Sequence, residues 1–362
     1  MARCPNCHAP VESNAEQCAK CSALFTEGGP GWRPVPDSPE EAALMPPEER
    51  YELPFAKRWP VLAGALVGVL LRLAFFGNPG GPYAAMMGSF IFLAPVLVGA
   101  TTVYLAERHR RRSWGYYIWA PFMANVFFVL GTLIIMVEGL ICAVLIVPVF
   151  AVIGIVGGLI MGIVCRVTQW PRHALYGFAL LPLVLGGVEG NVATPTRLGA
   201  VERTTVVRAQ PETVWWHLMN ARDIKPEEME RAWIYRIGVP LPLSAMEDGP
   251  VRKIRMGKNI HFDQVFTQRV ENRYARWTYR MYPDSFPPYA LDDHVLVGGY
   301  YFDVRDTSYT LMPVAEGTEV RVSMGYRVTT QFNWYAEPLA RLLLGNFEEV
   351  ALDFYRRRSE RP

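Results

Sequence analysis

From Trp114 to Val164 the chain runs 51 residues with Glu138 as its only charged side chain. As one helix that stretch would be roughly 76 Å long at 1.5 Å per residue, more than twice the ~30 Å of hydrocarbon in a bilayer. It must therefore fold back once, most simply at Val137-Glu138-Gly139. The two arms, 114–136 and 139–164, join three other apolar stretches at 61–77, 84–106 and 174–188. Together they predict an α-helical transmembrane bundle of about five segments within residues 59–190. The fifth is short, contains Pro182 and ends at Glu189, so it reads as a thin span or as an interfacial or re-entrant piece.

Basic residues orient the bundle. Lys57 and Arg58 precede the first segment, Arg108 to Arg112 separate the second and third, and Arg166 and Arg172 separate the fourth and fifth. The remaining loops, GNPGGPY and VEG, contain no Lys or Arg. Positive charge marks the cytosolic side, so the pattern predicts a multi-pass protein of the cytoplasmic membrane with a cytosolic N-terminus. If the fifth segment spans, the C-terminal part lies outside the cytoplasm, and the expectation leans that way. Arg197, Arg203 and Arg208 just beyond it count against export. Gly154, Gly158 and Gly162 recur every four residues, which predicts close helix packing. Arg72 and Glu138 are costly charges in lipid and read as structural or interfacial, with Arg72 snorkelling or paired.

The N-terminus, MARCPNCHAP, lacks the apolar core of a secretory signal. It opens two C-x-x-C knuckles, Cys4 with Cys7 and Cys18 with Cys21, which can close one tetrahedral zinc site. So short a segment has no core of its own, so the metal would supply most of its folding free energy. A redox pair is the rival, but two pairs without a βαβ context favour metal. Residues 1–25 resemble the zinc ribbons at the N-termini of many bacterial membrane proteins. That resemblance implies one structural zinc ion and contacts to a cytosolic protein partner. Residues 26–58 are rich in Pro, Gly and Glu and read as a flexible linker.

After residue 198 the chain reads as a soluble α+β domain reaching to about 358. Its charges balance at 22 basic and 22 acidic residues over 200–362, so no nucleic-acid partner is implied. Strands are predicted at 201–208, 231–237, 251–256, 260–270, 274–282, 307–314 and 319–329. Pro211 opens a helix carrying Trp215 and Trp216, and a long amphipathic helix is predicted from 335 to 358. In RWTYRMY, Trp277, Tyr279 and Met281 share one face, as a half-buried antiparallel strand requires.

This order, with VVRAQPETVWWHLMNARD near its start and QFNWYAEPLARLLLGNFEEVALDFYRR at its end, resembles the START-like or SRPBCC superfamily. That family includes polyketide cyclases and lipid-transfer domains. The resemblance implies a helix-grip fold, a curved antiparallel sheet with a long C-terminal helix across it. It further implies an apolar cavity for a lipid or other hydrophobic small molecule. Trp277, Tyr279, Tyr300, Tyr301 and Trp334 are the candidate walls, equally compatible with a filled core.

Three polar clusters could carry chemistry: His261-Phe262-Asp263, Asp292-Asp293-His294 and Tyr301-Phe302-Asp303. His261 and Asp263 lie two apart on a strand and face one side, but no third metal ligand can be named for them. The run PDSFPPYALDDH reads as a stiff loop at the cavity mouth, with Ser285 an ordinary turn residue. The expected function is a membrane-anchored module that binds a hydrophobic ligand. A cyclase, dehydratase or hydrolase using His261 or His294 with a nearby Asp is one alternative, and a sensor or assembly factor acting through the ribbon is another. Binding requires only a cavity, whereas catalysis also requires a His and a carboxylate converging on it.

Overall fold

The computed structural model describes residues 2–3, 9–11, 18–21, 58–108, 112–168, 172–229, 232–288, 290–292 and 294–361. At the N-terminus, β1 (Ala2–Arg3) pairs antiparallel with β2 (Pro10–Val11), and Cys18 is buried. Cys4, Cys7 and the linker up to residue 57 lie outside the described residues.

Five apolar helices follow: α1 (Trp59–Ala74), α2 (Gly88–Glu107), α3 (Trp114–Ile134), α4 (Leu140–Thr168) and α5 (Arg172–Glu189). Of these, α2, α3 and α4 are long and apolar enough to cross a membrane, and α1 is a shorter apolar helix. The fold-back falls where the sequence predicts it. Met136 takes a positive φ of 55°, and the Val137 and Glu138 amides both donate to the Thr132 carbonyl, ending α3.

The chain divides into two compact units. The first comprises Pro95–Phe128, Ala151–Leu180 and the described residues up to Gly68. A Cβ on Gly99 would sit 2.0 Å from the Gly154 carbonyl oxygen, and one on Gly158 would sit 2.3 Å from the Pro121 ring. The glycine stripe therefore serves backbone approach, the role its spacing predicts. Buried Glu107 accepts hydrogen bonds from the Tyr117 hydroxyl (2.8 Å) and the Arg112 amide (2.6 Å). Arg166 donates to the same Tyr117 oxygen (3.1 Å) and lies over the Trp114 ring.

The second unit comprises Val69–Ala94, Val129–Phe150 and Leu181–Pro362. In it, the Glu189 carboxylate at the end of α5 accepts the Gly88 and Ser89 amides at 2.6 and 2.7 Å. A carboxylate there satisfies two of the donors that α2 leaves free at its N-terminus and meets the positive end of its dipole.

The same unit holds an eight-stranded antiparallel sheet in the order β3-β10-β9-β8-β7-β6-β5-β4. The strands are β3 (Thr196–Val207), β4 (Asn220–Ala221), β5 (Pro242–Asp248), β6 (Val251–Met256), β7 (His261–Val270), β8 (Tyr274–Arg280), β9 (Phe302–Val314) and β10 (Gly317–Thr329). Short helices α6 (Pro211–Met219), α7 (Pro226–Met229) and α8 (Trp233–Arg236) leave it, and the long α9 (Asn333–Ser359) packs against β3 and β10. Irregular pairings at Pro242/Ser244, Phe266/Gln268 and Gly325/Tyr326 bend the strands.

Along β10 the even-numbered residues Val320, Val322, Met324, Tyr326 and Val328 are buried. They meet Ala340, Leu344, Leu352 and Phe354 of α9 in one core. A Cβ on Gly345 would come within 2.8 Å of the Arg203 side chain, so this glycine lets the helix approach β3. This curved sheet gripped by a C-terminal helix is the α+β architecture the sequence resemblance implies.

One predicted strand is corrected. Residues 231–237 contain helix α8, not a strand. The aromatic and β-branched residues of AWIYRIG favour a strand by composition, but Ile234 is buried in the core with Trp233 and Tyr235 packed at its margin. The core accepts Ile234 from a single helical turn, and tertiary burial overrides propensity. Strand β5 went unpredicted because PLSAMED shows no alternation and begins at proline.

Candidate functional site

The inner face of the sheet carries polar atoms where an α+β core is ordinarily apolar. In β6 the alternation buries Arg252 together with Ile254. Arg252 is only 4% exposed and donates to Gln264 Oε1 at 2.6 Å and to the Tyr355 hydroxyl at 2.7 Å. Its guanidinium lies 5.4 Å from the centre of the Trp277 ring. Trp277 stacks on Tyr309, and Tyr309 meets Tyr355 edge-on. Nearby, the hydroxyls of Tyr279 and Thr307 are hydrogen-bonded at 2.6 Å.

Burial pushes the Tyr279 hydroxyl up to about 12 and Tyr309 well above the ordinary tyrosine range, so both stay neutral donors. One donor here has no hydrogen-bond partner: Arg252 Nε. Among the described residues no carboxylate forms an ion pair with Arg252. A buried guanidinium with an unused N–H and no counter-ion is expensive, and its cost falls if an acceptor or anion meets it.

A second buried ionisable group lies on the inner face of α9. Glu348 is fully buried, and burial raises it to about 8 against the opposing charge of Arg203 and the backbone of Met324.

The residues singled out from the sequence disperse. Trp277 is buried in the hydrophobic core beside Arg252, and Tyr279 packs against that core. Tyr301 is buried elsewhere, its ring 5.8 Å from that of His294 and its hydroxyl 3.4 Å from the Gly80 amide. Trp334 is 66% exposed at the start of α9 and Tyr300 is 41% exposed, so neither is a buried wall. His261, half-buried, pairs at 3.5 Å with the exposed Asp284, while Asp263 accepts instead from the Tyr282 hydroxyl at 2.6 Å. The two therefore share a face without sharing a proton. Asp293 lies outside the described residues, and Ser285 is a buried turn residue whose hydroxyl accepts the Tyr282 amide.

His294 meets a different set of groups. Its Nδ1 lies 3.4 Å from Glu138 Oε2 and 3.8 Å from Cys142 Sγ, and Glu138 Oε1 receives Arg72 Nε at 2.5 Å. Arg72 is thus paired, one of the two outcomes expected for it.

Sequence reasoning passed over Arg252, Gln264, Tyr355, Glu348 and Cys142. For Arg252 a signal existed: it shares a strand face with Ile254 and Met256, so alternation places a charge on the apolar side. Nothing local marks the others.

No family model matches the chain, and no curated protein matches it. Solved structures do, over slightly less than half its length. An uncharacterised protein from Rhizobium leguminosarum is 12% identical with a TM-score of 0.30, covering 46% of this chain and 98% of that one. The AHSA1-like protein from Aeromonas hydrophila is 12% identical with a TM-score of 0.27, covering 45% and 92%. Ara h 8.0201 is 12% identical with a TM-score of 0.28, covering 45% and 96%. At such identities and scores a likeness transfers no activity.

Proposed function

We propose that this chain is a multi-pass membrane protein whose C-terminal helix-grip domain binds a lipid or other hydrophobic small molecule bearing a polar head. The observation that carries this reading is Arg252, buried against aromatic side chains with its Nε unused. Ligand sites pair apolar walls with a few convergent polar groups, and this wall offers both. The tail of such a ligand would lie against Trp277, Tyr309 and neighbouring apolar side chains, its head accepting from Arg252.

The N-terminal knuckles of Cys4, Cys7, Cys18 and Cys21 would hold one structural zinc ion in the cytosol, where a protein partner could meet the ribbon. The C-terminal domain would lie on the other side of the membrane. Two features support that placement. The unit containing it also contains both interhelical loops that lack Lys and Arg, and α5 is about 27 Å long at 1.5 Å per residue, close to a bilayer's hydrocarbon thickness.

The full-length protein, purified in mild detergent, should retain about one amphiphile per chain by native mass spectrometry. Arg252→Met should lose it while keeping the same thermal transition or a higher one, since Met removes an uncompensated charge. A wild-type protein that carries no such molecule, and whose uptake of a fluorescent fatty acid is unchanged by Arg252→Met, would overturn the reading.

A further inference from the structure

Glu138 closes the α3–α4 turn, Cys142 sits in the first turn of α4, and His294 lies on the long loop between β8 and β9. All three are partly buried, and one donor atom from each lies within 4.8 Å of the other two. The separations fit a bridging ion. A charge-assisted hydrogen bond between imidazole and carboxylate is about 2.7–2.9 Å long, shorter than the 3.4 Å seen from His294 Nδ1 to Glu138 Oε2. In a tetrahedral zinc site, bonds of about 2.05 Å to nitrogen or oxygen and 2.3 Å to sulfur hold neighbouring donors about 3.3 Å (N to O) and 3.6 Å (N to S) apart. The observed 3.4 and 3.8 Å fall close to those edges.

The surroundings fit a cation too. Glu138 offers Oε2 to the site while Oε1 is held by Arg72 Nε, whose Nη1 donates to the Phe75 carbonyl at 2.7 Å. That anchored partner fixes the carboxylate's orientation, as groups behind metal ligands do. The Asp292 carboxylate packs on Gly139, where an added Cβ would lie 2.6 Å from Oδ1. It adds negative charge beside the three donors. Charge closes as well: a divalent ion with Arg72 balances Glu138, Asp292 and a Cys142 thiolate. We propose that Glu138, Cys142 and His294, with Asp292 beside them, bind a divalent transition-metal ion. One thiolate, one imidazole and carboxylates suit zinc or its cobalt substitute and disfavour calcium and magnesium. The ion ties the β8–β9 loop to the turn between two apolar helices, and it is distinct from the ion expected in the N-terminal ribbon.

Metal content of the full-length protein in detergent, counted by plasma mass spectrometry, tests this. Wild type should carry one ion per chain more than either Cys142→Ser or His294→Gln, whether or not the ribbon is loaded. Equal content in wild type and both variants would overturn the proposal. A second measurement does not depend on the site variants folding. The full chain with all four ribbon cysteines changed to serine, stripped and titrated with cobalt, should take up one equivalent. It should show the thiolate-to-cobalt charge-transfer band and visible bands of four-coordinate strength. A chain that takes up no cobalt, or takes it up without the thiolate band, would refute it.

Discussion

Replacing Glu348 with glutamine should stabilise the C-terminal domain, and the gain should grow with pH. The carboxyl group is buried on the inner face of α9, and burial raises it from 4.5 to about 8. A carboxyl group with a raised folded-state pKa keeps its proton in the folded protein while the unfolded chain loses it. The folded state then binds more protons, so wild-type stability falls as pH rises from about 4.5 to about 8 and is level outside that window. At pH 7 about 2.5 units of this window have been crossed. At 1.36 kcal/mol per unit, that is a cost of about 3 kcal/mol which a neutral amide avoids. At pH 5 the same reasoning leaves about 1 kcal/mol, and above pH 8 about 5 kcal/mol. The pH 7 figure corresponds to roughly 6–12 °C in Tm for a domain of this size.

The assay is protease resistance of the full-length chain in detergent across a urea series at pH 5, 7 and 9. It is read by survival of the C-terminal domain in wild type and Glu348→Gln. An equal difference at pH 5 and pH 9 would refute the reasoning, because no ionisation would then be opposing burial. A variant less stable at every pH would show that the carboxylate makes a contact worth more than its desolvation.

Two further predictions rest on the second unit. Glu189→Ala removes both acceptors from the first amides of α2 and should cost about 1–2 kcal/mol, measured as a lowered thermal transition in detergent, whereas Glu189→Asp should recover part of it. A cysteine at exposed Glu316, in the β9–β10 turn, should react with a membrane-impermeant maleimide on intact cells, and the ribbon cysteines should react only after lysis and removal of their zinc by a chelator. Protection of position 316 until lysis would place the C-terminal domain with the ribbon and sink the topology proposed above.

Much of the architecture was legible one segment at a time. The fold-back between α3 and α4 followed from helix rise against bilayer thickness, and β6, β7 and β8 followed from alternation between faces. The long α9 followed from apolar residues at three- and four-residue steps. These patterns are local, so composition and spacing reveal them. Where they misled, as at α8, the residues were apolar enough for either structure and the surrounding core chose the helix. His261 and Asp263 illustrate a different failure. Their spacing correctly put them on one face, but spacing alone does not say that each finds another partner, Asp284 and Tyr282.

What the sequence determined by itself was the inventory: apolar segments, one hairpin turn, a strand-rich C-terminal domain and a closing helix. The tertiary structure alone decided which polar groups meet. Arg72 finds Glu138 across 66 residues, Arg252 finds Tyr355 across 103, and Cys142 finds His294 across 152. The physical reason is that periodicity is set by backbone geometry over a few residues. Convergence of distant side chains depends instead on sheet register, strand bending and helix docking, and these arise only when the whole core forms at once.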